Sequence, residues 1–156
     1  VGILSETRLR LPDVTFDTSM RIDLGGRVDE LYHFGAGNTP GDTVVYVPEP
    51  KAAWTGNLVL GEGIIPFLIE GGAVNYVATI ARFIQRIDAR TIIPGHAIPT
   101  TGATLGRYLA YLNDLVQMAR SARLQGHTLE QTLHGNAAPR RLCHTIGLAF
   151  GAVRRV

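Results

Sequence analysis

Three short segments hold the side chains best suited to chemistry: Gly35-Ala-Gly-Asn38-Thr-Pro-Gly-Asp42, Trp54-Thr-Gly-Asn57 and Ile93-Pro-Gly-His96. Each follows an apolar run and turns on glycine or proline, so each reads as a loop at a strand end, where a rigid scaffold presents side chains to a site. They offer one imidazole, two carboxamides and one carboxylate. An imidazole ligates a metal or moves a proton; a carboxamide serves as a hydrogen-bonding group. The other histidines carry less. His33 lies between Tyr32 and Phe34 and reads as a satisfied strand histidine, and His127, His134 and His144 form no i, i+4 pair and read as solvated or capping residues. Cys143 has Arg140, Arg141 and His144 beside it, which favours a thiolate, but no base with its orienting residue accompanies it, and no nucleophile role is assigned.

The elements that must position these loops can be read from periodicity. Val14-Thr-Phe16, Met20–Leu24, Val28–Phe34 and Thr43–Val47 read as strands, the second alternating up to a Gly25-Gly26 turn, and together predict an antiparallel meander. Pro48-Glu-Pro50 breaks the chain before a short strand at Ala52–Thr55, in which Trp54 reads as a core residue. The segment Gly61–Glu70 is apolar for a loop, and reads either as packed under the sheet or as the lip of a pocket. Val74, Val77, Ile80, Ile84 and Ile87 follow at helical spacing, then a buried strand at Thr91–Pro94. Leu105, Leu109, Leu112, Val116 and Ala119 predict a second amphipathic helix that closes near Gly126, with Arg120 and Arg123 suiting its dipole. Thr128-x-x-Gln131 resembles a capping box for a third helix, and residues 140–152 predict a fourth. Strands followed by alternating helix and strand argue a mixed α/β layer structure.

Composition narrows the function. At 156 residues the chain is one domain long, enough to bury about 70% of the surface of its unfolded form. Apolar residues at 46% and charged residues at 18% predict a globular protein without a bilayer span. A single cysteine excludes an internal disulfide and a thiolate zinc site, so a cytoplasmic location is expected. Of the 15 basic side chains only Lys51 is lysine, and the densest groups along the chain are Arg140-Arg141 and Arg154-Arg155. A net charge of +2 spread in this way predicts no nucleic-acid partner. The opening at Val1 reads as a truncation or processing point, and its first residues are too short for a signal peptide.

In this order and spacing, the three loop segments resemble the second half of the metallo-β-lactamase superfamily. The family pattern there is Gly-x-Gly-His-Thr-Pro-Gly-Asp, then an apolar strand and Thr-Gly-Asp, then a helix and Pro-Gly-His. Pro12-Asp-Val-Thr-Phe16 and Leu24-Gly-Gly-Arg27 look like that family as well, and the likeness runs from about residue 11 to residue 98. The resemblance implies an α/β (α+β) fold, an αββα sandwich of two similar halves of which this chain is the C-terminal one. It makes residues 1–156 a single domain with a C-terminal helical extension from about 127 to 156. It also implies zinc at the sheet edge and hydrolysis of an ester, thioester, lactone or amide bond by metal-bound hydroxide.

The departures from the pattern limit that expectation. The metal-binding histidine of the first segment is replaced by Asn38, the bridging carboxylate of the second by Asn57, and only His96 keeps its ligand type. By resemblance His96 is the metal ligand, with Asn38 and Asn57 as weak candidates, or else turn residues that bond their own loops. Asp42 is implied as a structural carboxylate near the site, not a ligand. The first-half His-x-His-x-Asp-His cluster does not occur in these residues. The expected function is hydrolysis with a metal site incomplete in this chain, the alternative being a non-catalytic relative acting as scaffold or binding module. Expected partners are a small-molecule substrate, no nucleic acid and no membrane, with either a second copy or the missing N-terminal half covering the open face of the sheet. Asn38, Asn57 and His96 are expected to converge at one sheet edge.

Overall fold

The computed structural model describes residues 8–61, 64, 66, 68 and 72–135, with side chains to residue 132. The predicted helix at 140–152, Cys143, His144 and the side chain of His134 lie outside the described residues. Strand β1 (Ser19–Asp23) turns through Gly25 and Gly26, both at positive φ, into β2 (Val28–Tyr32). β3 (Val44–Val47), β4 (Ala52–Gly56), helix α1 (Ala73–Arg86) and β5 (Thr91–Pro94) follow. A two-residue β6 (Thr100–Thr101) leads into the long helix α2 (Ala103–Leu124) and then α3 (Leu129–Gly135). The six strands form one sheet in sequence order, antiparallel throughout except where β5 lies parallel to β4 after crossing over through α1. A parallel neighbour requires such a crossover, and the helix supplies it.

Both long helices cover the same face of the sheet. Val44, Ala53 and Ile92 point from the strands into a core shared with Tyr76, Ile80 and Phe83 of α1 and with Leu105, Leu112 and Val116 of α2. The buried stripe of α1 runs through Ala73, Tyr76, Ile80 and Phe83; of the predicted positions Ile80 and Ile87 are buried, and the stripe turns one position away from Val74, Val77 and Ile84. Val74 and Val77 pack at the margin and Ile84 is exposed. Both stripes are apolar at helical spacing. The larger rings decide: Phe83 stacks on Phe34 at 5.3 Å, and Phe34 stacks on Tyr32 at 5.4 Å, which turns the Tyr76–Phe83 side toward β2. Leu68 is buried in this core, so the described part of the apolar loop after β4 is packed rather than a free lip.

Two further sequence expectations fail. Val14–Phe16 is not a strand. The ladder begins at Ser19, Val14 is exposed, and the bond from His33 N to Thr18 O at 2.9 Å ties the chain to the sheet only past this segment among the described residues. With Pro12 just upstream and no further strand to pair against, the run gains nothing from extension. Trp54 is not core; it is 44% exposed. Strand side chains alternate, and Ala53 and Thr55 take the helix side, which leaves Trp54 on the other. The register places Met20, Leu31, Val45, Trp54 and Ile93 in one row across five strands on that side. No described element covers this row.

Helix ends follow local chemistry. Gly126 at φ 74° closes α2, with bonds from Gly126 N to Arg123 O and from His127 N to Ala122 O satisfying the last carbonyls. Thr128 and Gln131 form the reciprocal cap expected for α3, at 2.8 and 3.1 Å. Because Phe83 is fully buried and ring-stacked, Phe83→Ala should cost about 3–5 kcal/mol in chemical denaturation. The neighbouring Ile84→Ala, on the exposed side of the same helix, should cost about 1 kcal/mol or less.

Candidate functional site

The three chemistry-bearing loops all leave the sheet at the same ends of their strands, and each is fixed by a different device. The first is held from below by α1. Arg82 Nε donates to Phe34 O at 2.6 Å and the Thr79 hydroxyl to Ala36 O at 2.7 Å, so the chain leaving β2 is pinned before it reaches Asn38. Gly37 then passes so close to the core that a Cβ there would lie 2.6 Å from Leu58 Cδ1 and 2.8 Å from the Tyr76 ring, a space that only glycine fits. Asp42 closes the loop on itself. Its two carboxylate oxygens accept from Thr39 N at 3.0 Å and Thr39 Oγ1 at 2.9 Å, while its carbonyl bonds His33 Nδ1 at 2.8 Å. His33 therefore holds this loop through its backbone.

The second and third loops are joined to each other. Gly95 N donates to Gly56 O at 2.9 Å, and a Cβ on Gly95 would meet Asn57 Oδ1 at 2.7 Å and the Gly56 carbonyl at 2.8 Å. The Asn57 side chain thus lies against Gly95, one residue from His96, and both Asn57 and His96 are exposed to solvent. Because Gly37 touches Leu58, the residue after Asn57, the first loop borders the same place. Asn38 differs from the other two: it is 3% exposed, and its Oδ1 is buried without a hydrogen-bond partner.

A layer beneath this edge, absent from the sequence reading, supports it. The Tyr76 hydroxyl donates to Leu58 O at 2.6 Å and lies 3.0 Å from the Tyr108 hydroxyl, joining the loop after β4 to both long helices. With its own proton committed to a carbonyl, Tyr76 accepts from Tyr108. The Thr55 hydroxyl, also buried, bonds Val59 O at 3.2 Å. The signal that could have located these tyrosines is their spacing: Tyr76 lies on the Ile80–Phe83 stripe and Tyr108 on the Leu105–Leu112 stripe, where a phenol must find a partner.

No protein-family model matches the sequence, and no curated protein matches it; solved structures do. A metallo-β-lactamase from Pontibacter korlensis matches over 71% of this chain and 53% of its own, at 29% identity and a TM-score of 0.59. The DIM-1 metallo-β-lactamase matches over 63% of this chain and 45% of its own at 20% identity, TM-score 0.56, and TMB-1 over 72% and 52% at 16%, TM-score 0.61. Over the matched part, the chain has the metallo-β-lactamase-superfamily fold. It spans about half the length of these structures.

The superfamily implies zinc, and the residues present on this metallo-β-lactamase-like edge do not fit it. Among the described residues no three His, Cys, Asp or Glu side chains come together as a metal-holding group. One imidazole and two neutral amides lack the charge and ligand number that zinc takes, and the Asn38 amide oxygen is buried. Asp42 is already bonded to Thr39.

Burial raises the ionisation of Tyr76 and, more strongly, Tyr108, where the Tyr76 hydroxyl adds to the effect. In the unfolded chain both ionise near pH 10. A raised folded value gives stability that is fully present below that pH and lost as the pH rises above it. Denaturation midpoints should therefore hold from pH 7 to about 9.5 and fall beyond 10. Tyr108→Phe should lower the plateau by about 1 kcal/mol for the lost hydrogen bond and make the alkaline fall shallower.

Proposed function

We propose that the protein is a hydrolase of the metallo-β-lactamase superfamily, acting on an ester, thioester, lactone or amide bond of a small molecule. In this reading the chain forms one wall of the site, with Asn57 and His96 as exposed hydrogen-bonding groups beside Asn38. The observation that supports it is the joining of the Asn57 and His96 loops through Gly56 and Gly95, which holds two polar side chains at one sheet edge. An amide donor and an imidazole suit the oxygens of an acyl group. A hydrolytic metal would need ligands beyond these three residues, His96 being the one imidazole among them. The reading also gives the open row of Met20, Leu31, Val45, Trp54 and Ile93 a cover: a second sheet of the complete domain, packed face to face.

A second reading, a non-catalytic relative acting as scaffold or binding module, is favoured by the buried and partnerless Asn38 oxygen at a position where the family pattern has histidine.

Elemental analysis and assay separate the two. Purified chain should carry well under one zinc per molecule, and Asn38→His with Asn57→Asp should raise zinc affinity, measured by competition with a chromophoric chelator. Stoichiometric zinc in the wild type that is lost in His96→Ala would overturn the assignment of a non-zinc edge. With an ester, thioester, lactone and amide panel, the complete protein should turn over at least one class, and Asn57→Ala should lower kcat/KM about tenfold. No turnover of any class, with the fold intact, leaves the scaffold reading standing. Light scattering tests the cover: a stable monomer of the chain that binds no exposed-surface dye would refute an open face, and a dimer would identify a second copy as the cover.

A further inference from the structure

A wide, open cleft of about 440 Å³ lies between the C-terminal half of α1 and the strands β1 and β2, and none of Asn38, Asn57 and His96 lines it. Arg82 and Arg86, one helical turn apart, form one wall; Tyr32, His33 and Phe34 form another, with Ser19 at the margin. A cleft of this size is in the range that holds a small ligand. The ion pairs among the described residues use Arg10, Arg21, Arg27 and Lys51. Neither Arg82 nor Arg86 is in a direct ion pair among these residues, although Arg86 lies beside the Tyr32 hydroxyl from which Glu30 accepts. Like charges at i, i+4 repel modestly on a helix surface, and an anion between them would offset that.

Both guanidiniums are held in place. Arg82 uses two of its five N–H donors, on Phe34 O and on the Thr79 hydroxyl, which leaves the remainder of a positioned planar fork. Arg86 is placed over the Tyr32 ring, 5.5 Å from its centroid. Glu30, on the same face of β2, is occupied: it accepts from the Tyr32 hydroxyl at 2.7 Å and lies 3.8 Å from Arg21. The stacked Tyr32 and Phe34 rings give the cleft an apolar side next to its charged one.

We propose that this cleft binds a small phosphorylated molecule with an apolar or aromatic body, the phosphate between Arg82 and Arg86 and the body against Tyr32 and Phe34. Two fixed guanidiniums match the charge and oxygen count of a phosphate dianion, whereas one would suffice for a carboxylate. The site is independent of the hydrolase reading.

Phenyl phosphate, inorganic phosphate and benzoate, titrated into the full chain at constant ionic strength, test it through NMR shifts of the arginine side-chain resonances. Phenyl phosphate should bind saturably and tightest, inorganic phosphate more weakly and benzoate least. Arg86→Gln should weaken phenyl phosphate about tenfold, the effect of losing one charge-assisted contact, and Arg86→Lys should weaken it less. Arg82→Gln should act in the same direction, but it also removes the bond to Phe34 O, so Arg86→Gln is the deciding variant. Arg120→Gln, on the exposed side of α2, should leave binding unchanged. Binding no tighter for phenyl phosphate than for benzoate, or equal losses in Arg86→Gln and Arg120→Gln, would overturn the proposal.

Discussion

The hydroxyl of Tyr76 sits where three parts of the protein meet, and the position of the sheet edge depends on it. It donates to the carbonyl of Leu58 just past β4, it lies against the hydroxyl of Tyr108 on the second long helix, and its own backbone belongs to the first. A loop carbonyl pulled into an apolar core would be costly without a donor, and the phenol supplies one while its ring fills the space. The loop bearing Asn57 is therefore drawn inward at Leu58 and turned outward one residue earlier. Gly37 and Gly95 then let the neighbouring loops close on that fixed point with no side chain in the way. Removing the hydroxyl would leave a buried carbonyl without its partner as well as loosening three elements at once.

The same packing explains why the sheet has two unlike faces. The rings of Tyr32, Phe34 and Phe83 stack on the helix side, and the register carries that side through Val44, Ala53 and Ile92. Alternation along the strands sends Leu31, Val45, Trp54 and Ile93 to the opposite side as a consequence. The open apolar row is thus the geometric complement of a well-packed core. It fits a chain that covers about half the length of the metallo-β-lactamase structures it matches.

The edge itself has the family's backbone without its charge. The glycines that allow close approach, the Asp42 carboxylate that ties its loop and the joined second and third loops all depend on backbone shape. The side chains displayed on that backbone are neutral amides at two of three positions. Asn57 and His96 are exposed at that edge and Asn38 is buried beside them, while Arg82 and Arg86 line a separate cleft.

Much of this was legible in the sequence. Short apolar and β-branched runs bounded by turn residues marked β2, β3 and β4, the Gly25-Gly26 and Gly126 turns marked boundaries, and Thr128 with Gln131 marked a cap, because each signal acts within a few residues. The ordered glycine-rich loops also carried the resemblance to the superfamily, since backbone approach demands particular residues at particular places. Contacts distant in sequence were not legible. Which apolar stripe of α1 faces the sheet was decided by ring stacking across 49 residues, from Phe34 to Phe83. That Trp54 lies in the open was decided by which side the helices occupy. The pairing of Tyr76 with Tyr108, the burial of Asn38 and the meeting of Arg82 and Arg86 with His33 all arise where separate elements are packed together, and periodicity within one element holds no information about its neighbour.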